Sequence, residues 1–402
     1  MTDASDLSGW LIDEGARLGN IGSLLQALCE RLLEAGVPVA RATTHVQTLH
    51  PQFRSVSRVW RRGEPVEEIR PRHGDEQRPA FIDSPVRRVW ETGQAIERRL
   101  DQPGGDGPDY PVYAELKAAG LTHYVMLPLA FSDGSRHALS WATDRPGGFG
   151  PSDMERLRAL MPPLSLCMEV LAMRRVSAEV LRTYVGFEPS ERILSGEIRR
   201  GETKRLEAAI FLSDLRGFTA ASETAPPEHV VALLNAYLDC VVPAVEDAKG
   251  EVLKFIGDGV LAVFAGGASS AAEACTAALA AAQAAIAALD RAGSARADEG
   301  GPLRAGIALH YGEVAYGNIG ARGRLDFTVV GRDVNLVSRI QGLCSELGRP
   351  LLLSSAFAAC AGSAVERVGC FPLKGLSGPR EVFAPARSLE AEHEAEILDR
   401  RA

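Results

Sequence analysis

The pattern of apolar and polar positions divides the chain into two regions of different rhythm, joined by a helical stretch. In the first, residues 24–35 place Leu24, Leu25, Leu28, Leu32 and Leu33 at helical spacing, with Ser23 as a candidate cap. Residues 41–49 and 55–61 read as strands. Residues 123–130 and 137–143 flank Ser132-Asp133-Gly134-Ser135, the pattern of a β-hairpin. A glycine-rich loop over 147–153 follows, and Ser152 or Asp153 caps a helix that runs to about residue 173. Residues 165–200 continue as helix, with Leu171, Val176, Val180, Leu181 and Tyr184 at steps of mostly three to five, until Pro189 interrupts. Such a stripe serves either paired helices in a dimer or packing on the chain's own domain.

From 204 to 387 strand-like runs alternate with helical ones. Strands are expected at 207–213, 251–255, 260–265, 304–310, 313–319 and 351–354, and helices at 227–248, 269–292 and 333–344. Segments 365–371 and 381–384 close the region. This alternation predicts an α/β (α+β) sandwich, a mixed or antiparallel sheet covered by helices. Gly312, Gly317 and Gly320 read as hairpin and turn positions. The last residues, 388–402, are charged and read as a tail.

Composition narrows the field. The chain has 402 residues, 24% charged and 46% hydrophobic, an ordinary globular balance that suggests more than one domain. The formal net charge of -8 gives no general attraction to nucleic acid or anionic lipid, so neither is expected as a partner. The seven cysteines are widely spaced with no C-x-x-C, as reduced thiols of a cytoplasmic protein would be. His45, His50 and His73 have no cysteine partners at metal-ligand spacing, and His310 at a strand end reads as structural. The start of the sequence lacks the basic flank and apolar core of a signal peptide. The alanine-rich run 271–289 is broken by Glu273, Thr276 and Gln283 and reads as an amphipathic helix, so no membrane span is expected.

Two acidic segments carry the candidate chemistry. In F-L-S-D-L-R-G-F-T (211–219) an apolar strand ends at Asp214 and turns through Gly217. In K-F-I-G-D-G-V (254–260) Asp258 sits between glycines, the pattern of a tight hairpin with a carboxylate at its tip. Two carboxylates at the strand ends of one sheet can hold Mg²⁺ or Mn²⁺ against a phosphate. Asn335 and Arg339, four apart, share one helix face.

These segments, together with V-V-G-R-D-V-N-L-V-S-R-I (329–340), resemble the class III adenylyl/guanylyl cyclase catalytic domain in content, order and spacing. The resemblance runs from about residue 206 to 383. It implies a ferredoxin-like palm with its site between two subunits of a head-to-tail homodimer. Asp214 and Asp258, with the main-chain carbonyl of Leu215, would hold two divalent cations. Amides around Gly217, Phe218 and Thr219 would bind phosphates. From the partner chain, Asn335 would orient the ribose and Arg339 would stabilise charge on the α-phosphate. Lys254 and Thr328 stand where adenine-selective members carry lysine and threonine: a lysine donates to adenine N1, and a threonine oxygen accepts from the N6 amino group. The expected substrate is therefore ATP, with a guanylate or mixed cyclase as one alternative and a non-catalytic nucleotide-binding regulator as another. One departure stands out: in L-K-G-L-S-G (373–378) Leu376 replaces a second lysine found in relatives, leaving Lys374 as the candidate for the triphosphate.

The segment T-D-R-P-G-G-F-G-P-S-D-M-E-R-L (143–157), after a central hairpin and before a long helix, resembles the end of a GAF domain. That implies a sensory domain over 1–170, either with a small-molecule ligand or serving only dimerisation or transmission. A connector over 171–203 and a catalytic domain over 204–387 complete the expected organisation.

Overall fold

A computed structural model describes residues 4–48, 53–72, 74–102, 108–265, 270–295, 302–362 and 364–386. The expected tail (388–402) lies outside these residues, as do Leu49, His50, His73 and Ser269. The chain divides into two compact units, Met1–Val180 and Leu181–Ala402.

The first unit contains α1 (Ala4–Asp13), α2 (Ile21–Glu34), β1 (Arg41–Gln47), β2 (Ser55–Arg61), β3 (Glu67–Ile69), α3 (Pro79–Ile82), α4 (Pro85–Thr92), β4 (Ile96–Arg99), α5 (Pro111–Ala118), β5 (His123–Ala130), β6 (Arg136–Thr143) and the long α6 (Pro151–Val185) as far as Val180. Its sheet runs β3-β2-β1-β6-β5-β4, antiparallel at every pairing. The cap of α2 is Asn20, whose side chain accepts from the Ser23 amide at 2.9 Å, so the helix begins earlier than the periodicity indicated. Leu24, Leu25, Leu28 and Leu32 of α2 are fully buried with Trp60, Trp141 and the inner face of α6. Each such leucine contributes about 1.5–3 kcal/mol through removal from water. The α6 helix runs for 35 residues through Pro162 and Pro163. Leu171, the first residue of the stripe that could serve a partner or its own domain, is buried in this core, while Leu166, Val170, Met173 and Tyr184 of α6 are exposed.

The second unit adds α7 (Phe187–Leu194), β7 (Thr203–Leu215), α8 (Phe218–Thr224), α9 (Pro227–Asp247), β8 (Glu251–Ile256), β9 (Gly259–Phe264), α10 (Ala271–Ala295), β10 (Ala305–Ala321), β11 (Arg324–Val330), α11 (Arg332–Glu346), β12 (Leu351–Ser354), α12 (Ser355–Cys360), β13 (Val365–Pro372) and β14 (Pro379–Pro385). The sheet order is β13-β14-β12-β10-β7-β9-β8, with β11 paired to β10. It is mixed: β10 and β12 are parallel and the other pairs antiparallel. One face is covered by α9 and α10. Both are long and apolar enough to cross a membrane by length and composition, yet each sends residues into the core: Tyr237, Val241 and Val245 from α9, and a run of alanines with Leu279 and Leu289 from α10. The other face packs on α11 through Val337, Ile340 and Leu343.

Two expectations are corrected. The strands expected at 304–310 and 313–319 are one strand, β10, and Gly312 and Gly317 mark no turn. They are positions of close approach: a Cβ on Gly312 would collide with Asp333 and lie 2.8 Å from the His310 ring, and one on Gly317 would collide with the Glu202 carbonyl. The hairpin turn lies later, between Ala321 and Arg324, and its return strand β11 was not anticipated as a strand.

Candidate functional site

Asp214 is the penultimate residue of β7, the strand between β9 and β10. Both residues paired with it are glycines, Gly259 on β9 and Gly306 on β10. Neither glycine can be larger without movement. A Cβ on Gly259 would lie 2.8 Å from the Ser213 carbonyl, and one on Gly306 would collide with the Arg216 guanidinium. Asp258 occupies the turn between β8 and β9, where Ile256 pairs with Gly259 and Gly257 supplies a positive φ of 62°. The hairpin therefore delivers Asp258 to Asp214, and the two carboxyls share a hydrogen bond.

Electrostatics follow from that meeting. Burial, then the hydrogen bond and negative charge of Asp258, push Asp214 up to about 6, while Arg216 and the Leu215 backbone pull it down. The pair brings together two hard oxygen donors whose charges repel each other. Divalent cations suit such a donor set by offsetting that repulsion. Among the described residues no cluster of three or more His, Cys, Asp or Glu side chains forms a metal cage, so further ligands would be backbone carbonyl, substrate or solvent. Below Asp214, Ser213 and Tyr237 share a buried hydrogen bond of 2.6 Å. Burial raises the Tyr237 phenol well above its usual range, and both aspartates add to that rise. Tyr237 and Arg216 were not singled out from the sequence, because only the sheet register and the packing of α9 reveal them.

After Leu215 the chain turns through Gly217, at φ 75°, into α8. A helix start leaves its first N–H groups without intrahelical partners, and here they belong to the turn that contains Gly217, Phe218 and Thr219. Phe218 packs partly into the core, while Gly217 and Thr219 are exposed.

The other candidates form a second set. Lys254 lies on β8, partly buried, just after an irregularity in pairing between Val252 and Lys254. Thr328 lies on β11 opposite Gly317; it is 3% exposed, and its hydroxyl has no partner among the described residues. Leu253, Phe327 and Val329, the neighbours of these residues, share one core cluster with α11. Asn335 and Arg339 stand one turn apart on α11, both exposed, with no side-chain hydrogen bond or ion pair among the described residues. The start of α11 is fixed by Asp333, which accepts from the Glu313 amide at 2.9 Å and lies 3.6 Å from His310 Nε2. The other His310 nitrogen is 2.7 Å from Ser354 Oγ. Lys374 is exposed beyond β13, whereas Leu376 packs partly against the core and its amide bonds to the Leu373 carbonyl at 3.1 Å.

Glu251, at the other end of β8, accepts from the Tyr316 hydroxyl at 2.5 Å. Burial, helped by the Glu188 charge, pushes its carboxyl up to about 7, against the pull of Tyr316 and Arg192. A carboxyl raised on folding stabilises the native state less as pH rises. The loss runs from the ordinary value near 4.5 to about 7. Glu251→Gln keeps an acceptor for Tyr316 and removes the titration. In urea unfolding of the C-terminal unit at pH 5 and pH 7.5, the variant is expected to gain on the wild type by on the order of 1–3 kcal/mol at the higher pH. Parallel pH dependence in both proteins would refute this assignment.

Comparison with known proteins agrees with these motifs. Residues 202–381 match the family model "Adenylate and Guanylate cyclase catalytic domain". An adenylate cyclase of Anabaena cylindrica is 34% identical over 165 residues, 40% of this chain and 31% of that protein. Adenylate cyclase 1 of Rhizobium meliloti is 29% identical over 219 residues, 53% of this chain and 33% of that protein. The chain thus spans about a third of the length of these curated relatives. The crystal structure of the adenylyl cyclase CyaB from P. aeruginosa is 29% identical with a TM-score of 0.43, covering 46% of this chain and 97% of that one. Residues 202–381 of this chain form an adenylate and guanylate cyclase catalytic domain.

Proposed function

We propose that the chain is an adenylate cyclase, converting ATP to 3′,5′-cyclic AMP and pyrophosphate at a site shared by two copies of its C-terminal unit. The observation that carries this reading is the hydrogen-bonded pair Asp214 and Asp258 inside the matched domain. These carboxylates and the Leu215 carbonyl would hold two Mg²⁺ or Mn²⁺ ions. When bound, the cations neutralise phosphate charge and lower the pKa of the ribose 3′-hydroxyl. Gly217, Phe218 and Thr219 would offer amides to the phosphates, with Lys374 as an additional cation. Lys254 would donate to adenine N1, and the unpartnered Thr328 hydroxyl would accept from the N6 amino group. Asn335 would orient the ribose and Arg339 stabilise charge on the α-phosphate. The 3′-hydroxyl gives its proton to solvent and its oxygen bonds to the α-phosphorus, while the bond from that phosphorus to the oxygen bridging to the β-phosphorus breaks and pyrophosphate leaves with the bridging oxygen. Positioning and electrostatics account for such a reaction without a protein nucleophile.

Two features favour a shared, head-to-tail site. Among the described residues Asn335 and Arg339 of α11 have no side-chain partner, as groups reaching a second subunit would. Val231, Phe255, Ile256, Leu325 and Val330 expose apolar surface on the same unit. In this reading 1–170 is a GAF-like sensory domain, 171–203 transmits its state to the catalytic domain over 204–387, and the protein works in the cytoplasm.

The purified chain is tested with Mn-ATP and Mn-GTP, with products identified by mass. Cyclic AMP is expected at a rate at least about tenfold above cyclic GMP, the discrimination that a site matched to one base's donors and acceptors supplies. Cyclic GMP alone would make it a guanylate cyclase. Nucleotide binding without turnover would make it a regulatory binding protein.

A further inference from the structure

We infer that Arg192, which lies before the matched catalytic segment, is a positioning residue for the purine pocket: it braces the two base-reading strands, β8 and β11, through the rings of Tyr316 and Phe327. This inference rests on the adenylate cyclase reading. The guanidinium sits 5.0 Å from the Tyr316 ring centre and 5.8 Å from that of Phe327. The two rings meet edge to face at 4.8 Å. Phe327 directly precedes Thr328 on β11. The Tyr316 hydroxyl donates to Glu251, which opens β8 three residues before Lys254. One cation on α7 thus lies against the neighbour of Thr328 directly and reaches β8, the strand of Lys254, through Tyr316 of β10 and its bond to Glu251.

The mounting of Arg192 suits that task. Its side chain is about one-fifth exposed and held by Glu188 at 3.0 Å and Glu197 at 3.3 Å. The approach of α7 to β8 is close: Gly186, at φ 91°, leaves only 3.1 Å between a would-be Cβ and the Val252 carbonyl. Beyond α7 the chain is tied to β10. Asn318 donates its side-chain amide to the Glu197 carbonyl at 2.8 Å and its backbone amide to the Glu202 carbonyl at 3.0 Å. A guanidinium spreads its charge over a plane that can lie on two rings while its edge pairs with carboxylates, which an ammonium does less well.

The test compares the full-length wild type, Arg192→Met, Arg192→Lys and Tyr316→Phe for kcat and KM with Mn-ATP and Mn-GTP, alongside thermal unfolding. Arg192→Met is expected to raise KM for ATP by about tenfold and to narrow the ATP-to-GTP preference by a similar factor, with kcat within about threefold. Arg192→Lys should recover part of both, and Tyr316→Phe should shift KM in the same direction. Wild-type KM and selectivity in every variant that folds would overturn the inference, even if the unfolding temperature drops. Should the wild type make no cyclic nucleotide, the adenylate cyclase reading fails by itself. Binding of a fluorescent ATP analogue then decides the role of Arg192. Weaker binding by the variants supports it, and equal binding, or none by the wild type, overturns it.

Discussion

Asp214→Asn is expected to lower turnover of Mn-ATP by at least about 10³-fold while leaving the protein as stable as before, or more so. The two halves of this expectation have the same origin. Asp214 is half-buried beside Asp258 and pushed up to about 6, so at neutral pH its charge is the unfavourable member of the folded site. A carboxyl raised on folding costs stability above its folded pKa, and the neutral amide removes that cost while still able to hydrogen-bond to Asp258. Loss of activity through misfolding would lower the unfolding temperature; loss of a cation ligand would not. A second readout isolates the cation. Mn²⁺ should raise the unfolding temperature of the C-terminal unit in the wild type and do so much less in the variant, because a ligand bound only by the folded form stabilises it. Asp258→Asn should lose activity to the same extent. Turnover within tenfold of wild type in either variant would remove the carboxylate pair from the mechanism.

The pair was legible in the sequence because its geometry is local. A strand ending in Asp-Leu-Arg-Gly and a hairpin closing through Gly-Asp-Gly each fix one carboxylate within a few residues, and the sheet supplies the rest. Lys254, Thr328, Asn335 and Arg339 were nominated by resemblance; helical spacing alone supported only the pairing of the last two. Glycines misled where they usually inform. Gly312 and Gly317 were read as breaks, yet they lie inside β10, where Asp333, His310 and Glu202 press against the backbone. β11 escaped notice because Arg324 and Asp326 give it a polar face at a sheet edge. The helical rhythm ran through Pro162 and Pro163 as α6 does, but it left open whether the stripe from Leu171 faces a partner or its own core, because both kinds of helix carry similar stripes; Leu171 packs on its own core. Tyr237, Arg216 and Arg192 depend on contacts between distant segments, and no spacing rule encodes those.

Mixing two inactive proteins should restore activity. Arg339→Ala, like Asp214→Asn, is expected to be nearly inactive alone, because each copy of the site loses one essential group. Arg339 and Asn335 have no side-chain partner among the described residues, although α11 itself is firmly seated through Asp333, Val337 and Ile340. A helix so well anchored, carrying two unpaired polar groups on its outer face, fits a site completed by another subunit. In a dimer of one Asp214→Asn chain and one Arg339→Ala chain, one site carries both defects and the other carries neither. After random exchange half the dimers are mixed and half their sites are intact, so recovery should approach about a quarter of wild-type activity. The comparison requires proof of exchange, by co-purification of differently tagged chains. If exchange is complete and the mixture is no more active than its two components, the aspartates and Arg339 do not act across a subunit boundary. A site contained within one subunit would then have to account for the loss of activity in Arg339→Ala, although Arg339 has no polar partner among the described residues.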